Sequence, residues 1–320
     1  MHTCRRSASR VVRRAVIAPS GEQIEIVAEG QRAVVVEVGG GLRSYSFDRR
    51  EFVDGYADHE MSTSGRGQVL IPWPNRLQNG SYEFDGRRHQ LPLNEPERHN
   101  AIHGLVRWAT WRAVARQPHR VVMEHILYPQ PGYPFCLRLN IEYTLSASGL
   151  CVRTMATNVG TVECPYGSGA HPYLTLGTAT IDHLILRVPA RAILRSDERG
   201  IPVGKEAIEG TEYDFRQPRP IGGIALDHAF TDLERDANGV ARVELQDPDQ
   251  GTRVSLWVDK NYSYLMVFTG DPLPDVRRRS LAVEPMTCPP NAFRTGVGLI
   301  RLEPGSKVAS TWGIAAELRA

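Results

Sequence analysis

The sequence is short of the features that would place it in most function classes. None of its apolar runs approaches the ~18 residues that a membrane span needs. Its formal net charge is only +2, from 38 Lys and Arg against 36 Asp and Glu. So small an excess argues neither for nucleic acid nor for an anionic membrane surface. The five cysteines, Cys4, Cys136, Cys151, Cys164 and Cys288, are odd in number and scattered, with no Cys-x-x-Cys pair. Neither a zinc site nor a disulfide framework is signalled, and a reducing cytoplasm is the expected location. No repeat, no low-complexity linker and no long helical period divides the chain. An export signal is not expected either. Met1 to Arg14 carry five arginines and no acid, but the apolar stretch after them, Ala15-Val16-Ile17-Ala18, falls short of a core of about 7–15 residues. Residues 1–20 therefore read as a disordered basic tail and residues 21–320 as one globular domain.

What the chain does have is alternation. Glycine (29) and proline (22) are plentiful, as expected of many short strands joined by turns. Ile24, Ile26, Val34, Val36 and Val38 alternate with polar neighbours until Gly39-Gly40-Gly41 breaks the run. Ser81 to Phe84, the turn Asp85-Gly86 and the return Arg87 to Leu91 read as a hairpin. Leu137, Leu139, Ile141, Tyr143 and Leu145 interleave with polar residues, and Cys151 to Thr157 return across Ser148-Gly149. Further strands are expected at Val240–Leu245, Thr252–Val258, Tyr262–Phe268 and Val308–Leu318. The pattern predicts an all-β protein, a large antiparallel β-sandwich of ~16–20 short strands in two packed sheets.

Several polar residues stand where chemistry is plausible. Ala282-Val283-Glu284-Pro285-Met286 puts a carboxylate at the end of an apolar run, and Pro289 and Pro290 follow. Prolines fix φ and remove donors, so the strand is expected to end here with Glu284 held by a stiff exit loop. That setting suits a general base as well as an ordinary edge glutamate. Trp73-Pro74-Asn75-Arg76 offers a guanidinium fork for vicinal hydroxyls, carboxylate or phosphate, and an indole face for a sugar ring. The plainer reading makes Arg76 a surface ion-pair residue and Trp73 core. His99 and His103 are four apart, a zinc-like spacing, but no helical period surrounds them. His171 follows small residues and precedes Pro172, which favours an extended conformation, and imidazole suits proton transfer near neutrality. Asp227, between apolar neighbours, is either a turn cap or a sugar-hydroxyl acceptor.

Taken together, these segments resemble the aldose 1-epimerase (galactose mutarotase-like) family. The resemblance runs from about Gln23 to Leu318. It rests on Pro74-Asn75-Arg76-Leu77, Asn79 to Gly86, Asn94, Ile102-His103-Gly104-Leu105 with Trp108 and Trp111, His171-Pro172-Tyr173, Leu226 to Phe230 and Val283 to Phe293. It implies a β-supersandwich with a sugar cleft on one sheet face. It also implies roles: Glu284 as general base, His171 as general acid, and His103 as a second histidine assisting at the ring oxygen. Arg76 and Asp227 match residues that bind sugar hydroxyls, with Asn75 and Trp73 beside them. The galactose-specific branch usually has Asn-His at the acid, where this chain has Ala170-His171, which leaves the sugar open.

The expected reaction interconverts the α and β anomers of a free hexose. The C1 hydroxyl loses a proton while the ring oxygen gains one, and no metal or organic cofactor is needed. Acid and base are expected on opposite sides of the C1–O5 unit, with a bell-shaped pH profile near neutrality. Three alternatives remain. A hexose-6-phosphate 1-epimerase would use Arg107 or Arg66 for the phosphate, and a silent carbohydrate-binding protein would keep the fold without turnover. A zinc hydrolase on His99 and His103 is a third. A monomer or homodimer is expected, with neither nucleic acid nor membrane as partner. Cys288, near the base in sequence, suggests oxidant sensitivity.

Overall fold

Period-two burial decides the architecture. The computed structural model describes residues 17–318. The expected basic tail therefore lies largely outside the described residues. In the strand Leu137–Ser146 the five odd-numbered apolar residues are buried and the residues between them are not. It pairs with Gly149–Asn158 from Leu137 opposite Asn158 to Ser146 opposite Gly149. The expected hairpin at Asp85-Gly86 is present, with left-handed φ of 49° and 71° at its two turn residues and Ser81–Phe84 paired to Arg87–Gln90.

The described residues form 27 strands, more than expected, and two single-turn helices, Pro96–Arg98 and Ala292–Thr295. The excess comes from pieces of two or three residues, such as Val69–Leu70, Gly169–Ala170 and Tyr173–Leu174. These are segments interrupted by glycine or proline, too short to show a period. All strand pairs are antiparallel. A nine-stranded sheet contains Leu137–Ser146, Gly149–Asn158 and the long strand Lys307–Glu317. An eight-stranded sheet runs through Asp227–Leu233, Tyr264–Phe268, Leu281–Met286 and Gly169–Ala170. Apolar residues from both sheets, including Leu139, Ile141, Phe230, Val267 and Val283, belong to one continuous core.

The eight-stranded sheet places the site. Its strands put Phe230, Leu265, Val267 and Val283 into the main core. The alternate residues point the other way. Asp227, Phe268 and Ala282 lie in one register row, continued by Tyr173 opposite Ala282. The next outward-facing row holds Ala229, Met266 and Glu284. Glu284 is thus the fourth residue of a six-residue strand that runs on through Pro285 to Met286. The sequence placed it at the strand's end. Pro285 is accommodated because the strand pairs with Tyr264–Phe268 on one side and only with the short pieces Tyr173–Leu174 and Gly169 on the other.

Candidate functional site

The face opposite the core carries a cavity of 470 Å³. Glu284, His171, His103, Arg76, Asn75 and Asp227 all line it, so residues more than 200 positions apart in sequence meet in one hollow. Glu284, His171 and His103 are 3%, 5% and 7% exposed. His171 Nε2 lies 3.2 Å from Glu284 Oε1. The second carboxylate oxygen and His171 Nδ1 are buried without a hydrogen-bond partner among the described residues. The two rings of His103 and His171 meet edge to face, with centroids 5.4 Å apart.

Local backbone explains His103 and Asn75. Both residues adopt the left-handed region, with φ of 63° and 55°. Such strain costs on the order of 1 kcal/mol each and persists where the surroundings impose it. Here the two residues hold each other. The His103 N–H donates to the Asn75 carbonyl at 3.0 Å, and the Asn75 N–H donates to His103 Nδ1 at 3.2 Å. An Nδ1 that accepts leaves the ring proton on Nε2 of the neutral imidazole. The Asn75 side-chain oxygen accepts from the Arg76 N–H.

Arg76 is half-buried and clamped. Nε donates to both oxygens of Glu95, and Nη2 donates to Oε1, all within 3.1 Å. Nη1 has no protein acceptor among the described residues and is available to a ligand. The clamp comes from Asn94-Glu95-Pro96, whose glutamate went unremarked in the sequence because nothing local marks a partner 19 residues away. Asp227 opens its strand on the cavity face and is exposed. It makes no ion pair among the described residues, yet its charge raises the Glu284 pKa.

Electrostatics follow from burial. Burial first, then the charge of Asp227, pushes the Glu284 carboxyl well above the usual carboxylate range, against the pull of Arg76. Burial takes the His171 imidazole down to about 3, with Arg107 and Arg66 adding to the shift. His103 is also pushed well below its ordinary value, by burial and then by His171. Either tautomer of the His171–Glu284 pair, ion pair or neutral pair, carries one proton and no net charge. Adding a second proton or removing the only one leaves a buried net charge, so the one-proton state is favoured over a wide pH range.

Three expectations are corrected. Trp73 is not at the sugar surface. It is 3% exposed in the core, its ring 5.5 Å from that of Phe293, because the turn after Ile71 directs the indole inward while Asn75 and Arg76 face the cavity. A tryptophan that does line the cavity is Trp108, 51% exposed. Its position five residues after His103 was visible in sequence, but its exposure was not. The His99 and His103 pair does not form: His99 ends the turn Pro96–Arg98 and is exposed, while His103 turns inward. Cys288 is completely buried and its thiol is pushed up to about 12, so it is not poised for oxidation.

His103, His171 and Glu284 do bring donor atoms within 4.8 Å of one another, a set that has the composition of a metal site. The surroundings suit protons better. A metal-bound histidine normally donates its other ring N–H to an acceptor. His103 instead presents Nδ1 to the Asn75 N–H donor, and His171 Nδ1 has no well-formed hydrogen bond to an acceptor among the described residues.

The chain as a whole has counterparts among known proteins. The sequence matches the aldose 1-epimerase family over residues 22–314. The chain belongs to that family. The protein YihR of Escherichia coli (strain K12) is 37% identical over 287 residues, 89% of this chain and 90% of YihR. The maltose epimerase of Levilactobacillus brevis is 26% identical over 268 residues, 76% of this chain and 77% of that enzyme. Among solved structures, a GalM/aldose epimerase homologue from C. elegans superposes with a TM-score of 0.84 at 18% identity, over 93% of this chain and 99% of that one. That likeness confirms the fold expected from the sequence. Among the described residues of this aldose 1-epimerase family member, no helix is long and apolar enough to cross a membrane.

Proposed function

We propose that the protein is an aldose 1-epimerase that interconverts the anomers of a free hexose by general acid/base ring opening. The observation that carries the reading is the buried contact of 3.2 Å between His171 and Glu284 at the floor of the cavity. Glu284 takes the proton of the C1 hydroxyl, and His171 donates to the ring oxygen. The C1–O5 bond breaks as the C1 carbonyl forms. Rotation about C1–C2 presents the other carbonyl face, and the same groups reverse their roles on closure.

The pair's adjacency changes one detail of the expected mechanism. Acid and base touch, so they do not flank the sugar from opposite sides. Both reacting oxygens are bonded to C1, and a donor and an acceptor side by side can serve both from one edge. Each turnover step moves one proton onto the pair and one off it. The total stays at one, which is the state that burial favours. The partnerless Glu284 oxygen is the acceptor assigned to the C1 hydroxyl. His103, with its proton on Nε2, is assigned as a second donor at the ring oxygen. Arg76 Nη1, Asn75 and Asp227 are assigned to the sugar hydroxyls, fixing the ring so that acid and base stay in reach. Polarimetry on a freshly dissolved α-aldose tests this. Mutarotation accelerated by the wild type and abolished in Glu284→Gln supports the reading, and an unchanged rate in that variant removes the base.

A second reading, a 6-phosphorylated hexose as substrate, is favoured by one observation. Arg107 lines the cavity half-buried, with Gln68 Oε1 at 3.3 Å as its only side-chain partner and no carboxylate in ion-pair range among the described residues. Arg66, the other candidate, lies outside the cavity lining and pairs with Asp54 at 3.4 Å. Assaying glucose against glucose 6-phosphate separates the readings, and Arg107→Gln should impair only the phosphorylated substrate.

A further inference from the structure

A histidine that works as a proton donor is commonly oriented by a hydrogen bond on its second ring nitrogen. His171 has none: Nδ1 is buried and partnerless among the described residues. Something else must hold the ring. We propose that the loop Ser62–Gln68 is the positioning element of His171, with Gly65 as the residue that sets the imidazole against Glu284 and Tyr173 as its stacking support. The inference rests on the reading of His171 as the acid.

The loop is fastened to the acid's segment at three points. The His171 N–H donates to the Gln68 carbonyl and the Gly67 N–H donates to the His171 carbonyl, both at 3.0 Å. The Tyr173 hydroxyl donates to the Ser64 carbonyl at 2.8 Å. The loop also closes on itself, with Ser62 Oγ donating to the Arg66 carbonyl at 2.8 Å and the Gln68 N–H donating to the Gly65 carbonyl at 2.9 Å. Backbone attachment of this kind places the loop relative to the ring without using the ring's own nitrogens.

The ring is then boxed by contact. Tyr173 stacks on it with centroids 5.0 Å apart and planes 12° from parallel. The Arg66 guanidinium lies 4.4 Å from the Tyr173 centroid and pairs with Asp54, so the support is itself supported. Gly65 closes the Cδ2–Nε2 edge, the edge that faces the reaction. Its φ is +77°, and a Cβ there would stand 2.5 Å from His171 Cδ2 and 2.9 Å from Nε2. Any side chain at this position has to move the ring that reaches Glu284. The titratable and charged groups around His171 are Glu284, His103, Tyr173, Arg66 and Arg107. Only Glu284 bonds the ring directly among the described residues. Packing has replaced the usual hydrogen-bonded orienter, and misplacement by about 1 Å in such a site can cost on the order of 10²-fold in rate.

The structure contains its own control. Gly86, in the exposed hairpin turn, has φ of +71° and no heavy atom within 4 Å of a built Cβ. Gly65→Ala and Gly86→Ala therefore carry a similar left-handed backbone penalty. Only the first touches the acid. Both variants should unfold a few degrees below the wild type. Gly65→Ala alone should lower kcat, by about 10²-fold, with KM within about twofold. Tyr173→Phe, which keeps the stack and loses the hydroxyl anchor, should fold and lose about threefold to tenfold in kcat. Equal kcat in the two alanine variants, or a change confined to KM, overturns the proposal. Imidazole NMR titration, with the His171 signal assigned by its loss in His171→Asn, gives a readout independent of turnover. That signal should shift in Gly65→Ala and stay in place in Gly86→Ala. If the wild type does not catalyse mutarotation, the proposed activity fails, and the titration still decides whether Gly65 positions the ring. Identical spectra in the two alanine variants reject it.

Discussion

The two faces of the eight-stranded sheet are made by the same strands and differ in almost everything else. Val283 and Glu284 are neighbours on Leu281–Met286. Val283 is fully buried in the main core, and Glu284 is nearly as buried beneath a polar cavity. Burial alone therefore does not separate structure from chemistry here. On the core face Phe230, Leu265, Val267 and Val283 pack into one apolar cluster. On the cavity face a carboxylate oxygen and an imidazole nitrogen are buried without partners. Unsatisfied buried polar atoms are costly and rare in folded proteins. Elsewhere such atoms are scattered, as at Trp73 Nε1 and Ser168 Oγ; here they belong to two titratable groups in contact, the arrangement that a trade of stability for the proposed reactivity predicts.

The sharpest way to break that comparison is to exchange the effects of the two neighbours. Glu284→Gln should lower kcat by about 10²-fold or more and make the protein more heat-stable at pH 8. The native carboxyl has its pKa raised above the unfolded value. Ionisation therefore costs folding free energy as pH rises through the native pKa, and the variant's thermal advantage should fade below the unfolded value of about 4.3. Val283→Ala should do the reverse, destabilising by about 2 kcal/mol with kcat near wild type. Calorimetry and polarimetry on both variants test this together. Glu284→Gln with lower thermal stability at pH 8 would remove the trade-off. His171→Asn should lower kcat by about 10²-fold as well, without the alkaline stability gain.

The next effect is on pH dependence. The sequence suggested a bell near neutrality, and burial changes that expectation. His171 is depressed to about 3. Taken with the raised Glu284, this keeps the pair in its one-proton state well below the ordinary histidine range. The rate kcat/KM should hold from about pH 7 to about pH 5, with its acid limb displaced below about pH 4.5, because the protonation that disables the base is the one burial resists. An acid limb at about 6.5 would mean that His171 titrates as an ordinary exposed imidazole.

How far the site was legible follows the same division. The strands of the nine-stranded sheet were readable because one face is apolar and the other polar over ten residues, as in Leu137–Ser146. Glu284, His171, His103, Arg76, Asn75 and Asp227 were picked from short motifs, and the structure brings all six to one cavity. Trp73 was misplaced because a tryptophan beside Pro-Asn-Arg looks the same in sequence whether its ring faces the cavity or Phe293. Glu95 and Gly65 carry no sequence signal for a different reason. Their roles exist only across space, as a clamp on Arg76 and a contact with the His171 ring.

Smaller effects should come from the rim of the cavity, where groups are assigned to the sugar and not to proton transfer. Asp227→Asn should raise KM by about tenfold and leave kcat within about threefold, since the exposed carboxylate is assigned to holding a hydroxyl. A comparable loss in kcat would place Asp227 nearer the chemistry, acting through the Glu284 carboxyl whose pKa it raises.

The smallest expected effect is none, and it falls four residues from the base. Cys288 shares the segment of Glu284 and was the sequence's candidate for oxidant sensitivity. The structure seals it: the thiol is inaccessible, and burial pushes it up to about 12. The thiolate is the reactive species, and at neutral pH this thiol is almost wholly protonated. A thiol-blocking reagent applied to the folded protein should leave the mutarotation rate unchanged, and Cys288 should be modified only after unfolding. Inactivation of the native protein, absent in Cys288→Ala, would show that the wall behind the base opens on the timescale of labelling. The cavity face would then share its motions with the core it is built on.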